Sequence, residues 1–357
     1  MKTAVVILNW NTKDYLERFL PGLLDSVLEE DAEVIVADSA STDGSMEMMQ
    51  ERFPDVRRIV LDSNYGFTGG YNRALAQVEA EYFVLINTDI EVTPGWLEPL
   101  VEWMDSHPDC GACSPKLRSW YERDRFEYAG AAGGRIDRWG YPFCRGRILS
   151  RLEDDRGQYD APQDVFWATG ACLMTRSALW RRLGGLDDRF FAHMEEIDYC
   201  WRLKLEGFSV CCVPQSVVYH LGGGTLPQSS PWKLKLNYRN NILLLENNLA
   251  RTFAAEGEPP KRALRRARRL IFWRKCLDGC SALVYLLTGR WSSFKAVLTA
   301  HSEARGLAVK PAPEALARQQ QLPAARLRAG LFPGSVILAS LLKGKGVFDY
   351  VETKMNL

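Results

Sequence analysis

The sequence predicts an α/β protein, a mainly parallel sheet flanked by helices and followed by a helical C-terminal extension. Three observations carry this. Short apolar, β-branched runs at 4–8, 33–37, 57–61 and 82–86 alternate with segments of helical spacing. The intervals between runs suit crossover helices, which parallel strands require. From about residue 233 strand patterning stops and the chain reads as helix to its end.

Residues 4–8 (AVVIL), bounded by Asn9, read as a buried strand, and Tyr15, Phe19, Leu23, Leu24 and Val27 form a helical stripe over 14–30. EVIVA at 33–37 is a second strand ended by Asp38, and Ser41-Thr42-Asp43-Gly44-Ser45 reads as the cap of a helix at 45–52. RRIVL at 57–61 is the third strand; GFTGG at 66–70 reads as a glycine-rich turn before a helix at 71–79. YFVLI at 82–86 is the fourth, ended by Asn87-Thr88-Asp89, and Pro94 opens a helix at 94–106. Residues 116–165 are rich in Gly, Arg and aromatics with little periodicity. VFWATGACLMT at 165–175 reads as a strand with a turn, followed by a helix at 177–183 and another after Met194-Glu195-Glu196-Ile197-Asp198. Two short strands, 208–213 and 216–219, end at His220 and Gly222-Gly223-Gly224.

The 357 residues are 25% charged and 46% hydrophobic, ordinary for a globular protein able to bury a full core. A net charge of +1 carries no nucleic-acid signature. Nine scattered cysteines read as reduced thiols of a cytosolic compartment, and Cys110-x-x-Cys113 has no second pair at zinc-finger spacing. The apolar run at the start is too short for a signal-peptide core, and no stretch of 18 apolar residues suits a spanning helix. Between Lys261 and Lys275 eight basic residues and no acidic one interleave with Leu264, Leu270, Ile271, Phe272 and Trp273. This suits a helix on an anionic membrane surface; the alternative is a solvated helix packed on the body.

The polar strand ends can carry chemistry. A nucleoside diphosphate leaves poorly unless a divalent cation, Mg²⁺ or Mn²⁺, neutralises it, and one or two protein carboxylates suffice to hold such a cation. Asp89 is the candidate ligand, with Asn87 on ribose or a metal-bound water; both also suit simple turn chemistry. Asp38 can accept from a base or ribose, or cap the next helix with Ser39 and Ser41. The run Asn64 to Asn72 brings backbone N–H groups toward a phosphate, though it matches neither dinucleotide nor P-loop patterns. Adjacent Glu195 and Glu196 repel, so partial burial would raise a pKa and make a general base. His220 is a ligand or a structural histidine.

Taken in order, these motifs resemble the glycosyltransferases of family 2, which have the GT-A fold, and among them the bacterial rhamnosyltransferase-type enzymes of cell-surface polysaccharide. The matching residues are Val6 to Asn11, Val36 to Ser45, Asn64 to Phe67 with Gly70 and Asn72, and Asn87 to Asp89. Farther along they are Trp167 to Ala171, Gly184 to Asp187, Phe190-Phe191, Glu195 to Asp198 with Trp201-Arg202, and His220. The resemblance covers about residues 3–250. It implies inverting transfer by direct displacement, with a divalent metal and no covalent intermediate. Asp38 would contact the base; Asn9, Asn11, Asn64, Gly66, Gly70, Asn72, Asn87 and Thr88 would lie on the nucleotide-sugar side. Asp89 would ligate metal, His220 would contact metal or diphosphate, and Glu196, beside Glu195, would be the base. Trp167, Thr169 and Gly170 would line the acceptor or sugar pocket. Asn87 stands where an Asp is common, and Glu196 where relatives usually have Asp. Arg239 in Tyr238-Arg239-Asn240-Asn241 would hold diphosphate or lie on a helix surface.

The resemblance implies a catalytic domain at 1–230, its nucleotide-sugar half to about 110 and its acceptor half at 111–230, followed by a helical region at 231–357. The donor would be dTDP-, UDP- or GDP-linked and the acceptor a glycan or lipid-linked sugar. The expected location is the cytoplasmic face of the inner membrane, and the oligomeric state stays open. Two other readings remain. A sugar nucleotidyltransferase would carry a Gly-rich loop with Arg and Lys where this chain has Asn9-Trp10-Asn11. A catalytically weak nucleotide-sugar-binding partner is favoured by Asn87 alone.

Overall fold

The computed structural model describes residues 1–222 and 230–355; Gly223 and Gly224 of the expected glycine run lie outside the described residues. β1 (Thr3–Asn9), α1 (Lys13–Asp25), β2 (Ala32–Asp38), α2 (Ser45–Arg52), β3 (Arg57–Val60), α3 (Gly66–Leu75) and β4 (Tyr82–Ile86) alternate as expected. β1 pairs in parallel with β2 and β4, and β2 with β3. β1, β2 and β4 are buried on both faces, which is why they read as apolar runs rather than alternating ones, whereas β3 is the exposed edge.

Three of these boundaries move. α1 stops at Asp25, and Val27 reaches the core from a turn. The segment expected as a glycine-rich loop is the first turns of α3, and the helix ends at Leu75. Low helix propensity is overridden there by close packing. A Cβ at Gly70 would lie 2.7 Å from Leu8 and 3.2 Å from the Ser39 hydroxyl, so only glycine lets α3 approach the edge of β1 and β2. After the short β5 (Ile90–Val92), α4 (Glu98–Ser106) starts four residues after Pro94.

The second half of the main sheet is mixed. β6 (Cys110–Ser119) leads to a small sheet of short strands, β7 (Gly134–Asp137), β8 (Pro142–Cys144), β9 (Arg147–Ile148) and β10 (Arg151–Leu152), all within the aperiodic segment. β11 (Gln163–Asp164), β12 (Cys172–Arg176), α5 (Ser177–Leu183), α6 (Glu195–Leu205) and β13 (Ser209–His220) follow. The main sheet runs β11-β13-β6-β12-β4-β1-β2-β3, with β5 on β13. β12 is antiparallel to both β4 and β6. The two short strands expected at 208–219 are one, interrupted by a register shift between Val213 and Val217.

The C-terminal part is helical, with one exception. α7 (Pro231–Ala255), α8 (Pro260–Leu287) and α9 (Trp291–Leu307) pack against one another, and α7 packs on α6. α10 (Pro313–Ala317) and α11 (Ala324–Arg328) precede β14 (Leu331–Phe332), which joins β7 in parallel and completes the five-stranded small sheet. α12 (Val336–Lys343) and α13 (Val347–Met355) then cover that sheet through Phe332, Val336, Val347 and Val351. The whole C-terminal region was expected to be helix; a two-residue strand is too short to leave a period-2 signal. All nine cysteines are free, and seven are buried.

Gly134 is the tightest join between the small sheet and the body. A Cβ there would fall 2.0 Å from the Trp167 ring. Gly134→Ala is expected to destabilise the protein by about 1–3 kcal/mol through overpacking, read as a lower denaturant midpoint at unchanged slope.

Candidate active site

Strand register gathers the polar strand ends on one edge. Asn9 lies level with Asp38 and Ile7 with Ile86, so Asn9, Asp38 and Asn87 to Asp89 leave the sheet together. Ile90 pairs with His220 at the end of β13. This brings His220 Nε2 to 3.1 Å from Asp89 Oδ1. Because β12 is antiparallel, its entrance rather than its exit lies at this edge: the Asn87 N–H donates to the Ala171 carbonyl at 2.9 Å. A Cβ at Gly170 would sit 3.5 Å from both Glu196 Cβ and Phe67 Cζ, so α6, α3 and the entrance of β12 converge there.

The nucleotide-side residues divide into two groups. Asp38 is buried, accepting from Asn9 Nδ2 at 2.7 Å and from the Ser41 N–H at 2.9 Å. Asn9 Oδ1 accepts from the Thr12 hydroxyl, and Asn11 Oδ1 from the Thr42 N–H at 2.7 Å. Asp38 therefore braces the turn between β2 and α2 rather than capping the helix, whose N-cap is Gly44, and it lies at the same sheet edge as Asn9. Asn87 and Thr88 lie on this edge too. Asn64 Oδ1 accepts from the Gly66 N–H at 2.8 Å and opens α3. Asn72 is a clamp. Its Nδ2 donates to the Leu186 carbonyl and to Asp188, each at 2.7 Å, and its Oδ1 accepts from the Leu186 N–H at 2.9 Å. That leaves its amide no donor or acceptor aimed at a donor sugar.

The expected pocket residues also separate. Trp167 is core, its ring against Gly134 and its Nε1 donating to the Arg135 carbonyl at 2.9 Å. The Thr169 hydroxyl is engaged with the Ala129 carbonyl and the Ala171 N–H. Gly170 faces Glu196.

Glu195 is buried at the start of α6, while Glu196 keeps a partly exposed edge. Burial and then the Glu196 charge push the Glu195 carboxyl well above the usual carboxylate range. Burial raises Glu196 to about 7, opposed by backbone N–H groups of the first turn. One oxygen of each carboxylate has no hydrogen-bond partner among the described residues. Asp198, the third acid of the cluster, is paired with Arg202 at 2.7 Å and accepts from the Asn247 and Asn248 amides.

The loop entering α6 is strained. Phe191, His193 and Met194 all have positive φ, at 64°, 71° and 73°. Arg239 and Asn240 over-determine it. Arg239 Nη2 donates to the Phe190 carbonyl at 2.7 Å, and Asn240 Nδ2 reaches the Phe190, Ala192 and His193 carbonyls at 2.7–2.9 Å. Arg239 is buried and also paired with Glu303, so it neither lies on a helix surface nor reaches a diphosphate. It positions the two glutamates.

Sequence reasoning missed Glu127. Buried in the aperiodic segment, it sits 3.3 Å from His220 Nδ1, on the side of the ring opposite Asp89. Nothing in the residue order marked it. Burial alone would lower His220, but Glu127 and Asp89 outweigh it and raise its pKa to about 10. Burial likewise works to raise Asp89, and His220 holds it below its usual value. A cation would bind this pair only by displacing the Nε2 proton of His220. Cis ligands on a cation with bonds near 2.1 Å stand about 3 Å apart, and a carboxylate on the second ring nitrogen is the usual orienting partner of a ligating histidine. Among the described residues no cluster of three or more His, Cys, Asp or Glu side chains suits a metal, so such a cation would take its other ligands from diphosphate and water. Two cavities elsewhere, one beside Arg145 and Glu352 and one between α8 and residues 324–331, include none of these residues.

Comparison with known proteins places this geometry. The family model described as glycosyl transferase family 2 matches residues 4–183. An N-acetylglucosaminyl-diphospho-decaprenol L-rhamnosyltransferase of Mycobacterium tuberculosis is 28% identical over 231 residues, covering 60% of this chain and 75% of the relative. The low-salt glycan biosynthesis hexosyltransferase Agl10 of Haloferax volcanii is 23% identical, covering 67% and 74%. Among solved structures, the mannosyltransferase PcManGT of Pyrobaculum calidifontis, in complex with GDP-Man and Mn²⁺, is similar with a TM-score of 0.50 at 16% identity, over 84% of this chain and 86% of that one. GalNAc-T7 with UDP, GalNAc and Mn²⁺ gives 0.54 at 18%, over 76% and 54%. These two likenesses bear on fold. With the family model spanning half the chain and the mixed sheet presenting its polar strand ends on one edge, the protein belongs to glycosyl transferase family 2 and is a glycosyltransferase of the GT-A fold.

Proposed function

We propose that the enzyme moves a sugar from a nucleoside-diphosphate donor to an acceptor hydroxyl with inversion at the anomeric carbon. The observation that carries this is the shared edge: Asp89 and His220 side by side, Asp38 on the same sheet end, and Glu196 facing them across Gly170. The base and ribose would lie by Asp38 and Asn9. A divalent ion, Mg²⁺ or Mn²⁺, bound by Asp89 and His220 would neutralise the leaving diphosphate. Glu127 orients the His220 ring for that role.

In the chemical step the acceptor oxygen bonds to the anomeric carbon as the bond to diphosphate breaks, its electron pair leaving on phosphate oxygen. Glu196 takes the acceptor's proton during attack, because a carboxylate cannot deprotonate an alcohol beforehand. A base with a pKa near neutrality holds that proton better than an ordinary carboxylate while still ionising at working pH. Burial favours the protonated form of Glu195, which lessens the negative charge beside Glu196. The similarity to the mycobacterial rhamnosyltransferase supports a lipid-diphosphate-linked acceptor, a rhamnosyl donor such as a dTDP-sugar, and work on cell-surface glycan at the cytoplasmic face of the membrane. UDP- and GDP-linked donors are the competitors. The nucleotidyltransferase reading has no support in these comparisons, and the unpartnered Glu196 oxygen favours an enzyme over a silent binding partner.

Four measurements test this reading. Because only the ionised base is active, kcat/KM should rise with pH along an acid limb whose midpoint lies near 7, the value of the Glu196 carboxyl. Glu196→Gln should lower kcat by about 10²- to 10⁴-fold while still binding donor in a thermal-shift assay; unchanged turnover would remove Glu196 as the base. Asp89→Asn should abolish the extra thermal stabilisation that Mn²⁺ adds to nucleoside diphosphate. Glu195 has a folded pKa above its unfolded one, so its contribution to stability is full below the unfolded value and is lost as pH rises through the folded one. Wild type should therefore lose Tm as pH rises from about 5, just above the unfolded value, toward the raised folded one, and Glu195→Gln should lose less.

A further inference from the structure

The C-terminal helices leave a surface that the transfer chemistry does not use. From Pro259 to Ser302 the chain has ten basic residues and one acidic residue, Asp278. Asp278 is fully buried against Arg274 and His301. The exposed charge of this segment is therefore wholly positive. It is also sorted along the axis of α8. The outward face of the first three turns carries Lys261, Arg262, Arg265, Arg268 and Arg269, while Ala263, Ala267 and Ile271 face inward. Past Lys275 the outward face has no charge at all. Phe272 and Trp273 mark the change, and Leu283, Val284 and Leu287 continue it to the end of the helix. After the Thr288 to Arg290 turn, Trp291 and Leu298 extend the apolar surface onto α9. Each of these seven side chains is more than half exposed. So much clustered apolar surface is costly to leave in water and marks an interaction site.

The tip of this hairpin stands at the catalytic end of the molecule. Tyr238 lies beside Ser281 and Tyr285, so the end of α8 that leads into the turn lies against the first turns of α7. There Trp232 packs edge-on to Phe191, 5.7 Å between centroids, in the strained loop before Glu195. We propose that the α8–α9 hairpin is a membrane anchor: its apolar tip enters one leaflet of an anionic bilayer, the basic turns of α8 lie on the headgroups, and the catalytic edge faces the lipid surface. Charge selects this occupant. A second copy seated face to face would set one basic surface against another, with Arg262 alone of its five outward residues paired, among the described residues, to an acid, Glu258 at 3.7 Å, whereas an anionic bilayer complements it. No described helix is long and apolar enough to cross the membrane, which fits entry into one leaflet. The docking stands on this surface alone; only delivery of a lipid-linked acceptor to Glu196 rests on the proposed function.

The test is flotation of the full chain with vesicles of phosphatidylcholine, with and without phosphatidylglycerol. Wild type should float with the anionic vesicles and bind less as salt rises. Leu283→Ser, Leu287→Ser and Trp291→Ser combined should lower partitioning by about tenfold or more. Arg262→Gln, Arg265→Gln and Arg269→Gln combined should abolish the preference for anionic lipid. Both triple variants should bind nucleoside diphosphate with Mn²⁺ as wild type does, which separates loss of the anchor from failure of the transferase reading. Wild type remaining at the bottom of the gradient at low salt would overturn the proposal, as would the apolar triple variant floating like wild type. So would sedimentation showing a dimer that this variant breaks while no form floats.

Discussion

The insertion of β12 between β4 and β6, antiparallel to both, is the constraint on which the site depends. In an all-parallel sheet the residues before a strand lie at the edge opposite the ligand. Reversal of β12 puts Thr169 to Ala171 at the exit of β4 instead, where the Asn87 N–H bonds the Ala171 carbonyl. The chain leaves β12 at the far edge, and α5 and the loop after it carry it back so that α6 begins beside Gly170. Glu196 is thereby set against the same edge as Asp38 and Asp89, although more than a hundred residues separate it from either.

Charge in the site is arranged by burial and by single partners. Asp89, His220 and Glu127 form a line of carboxylate, imidazole and carboxylate in which each ring nitrogen faces an acid. Such a line favours a protonated imidazole while no cation is bound; a cation beside Asp89 would have to displace the Nε2 proton, and Glu127 would then orient the neutral ring. The glutamates of α6 are treated in the opposite way. They are adjacent and desolvated, with one oxygen of each unpartnered among the described residues, which shifts both upward, as the proposed base requires. Asp198, only two residues on, is paired with Arg202 at 2.7 Å. Identical chemistry in three acids of one turn thus serves different ends according to what each touches.

The strained entry to α6 shows what the C-terminal region contributes to catalysis. Left-handed backbone at Phe191, His193 and Met194 would relax if unsupported. Arg239 and Asn240 of α7 hold its carbonyls from the opposite side. The helix that begins the C-terminal region is therefore also the brace of the catalytic loop, and the hairpin packed on it is joined to the active site through one rigid element.

Local pattern determined much of this protein. The parallel half of the sheet was legible because strands buried on both faces must be apolar throughout, and because crossover helices impose spacing. Asp38, Asp89, Glu195, Glu196 and His220 were legible because polar residues that end apolar runs fall at strand and helix termini. Their meeting at one edge was not legible, since it needed the reversed β12. Glu127 gave no signal, because its segment folds as strands of two to four residues with polar side chains buried by pairing. Asn72, Trp167 and Arg239 looked like ligand residues, yet tertiary contacts consume their polar atoms. Residue order records what a side chain can do; only packing decides which partner takes its hydrogen bonds, and that choice depends on atoms far away along the chain.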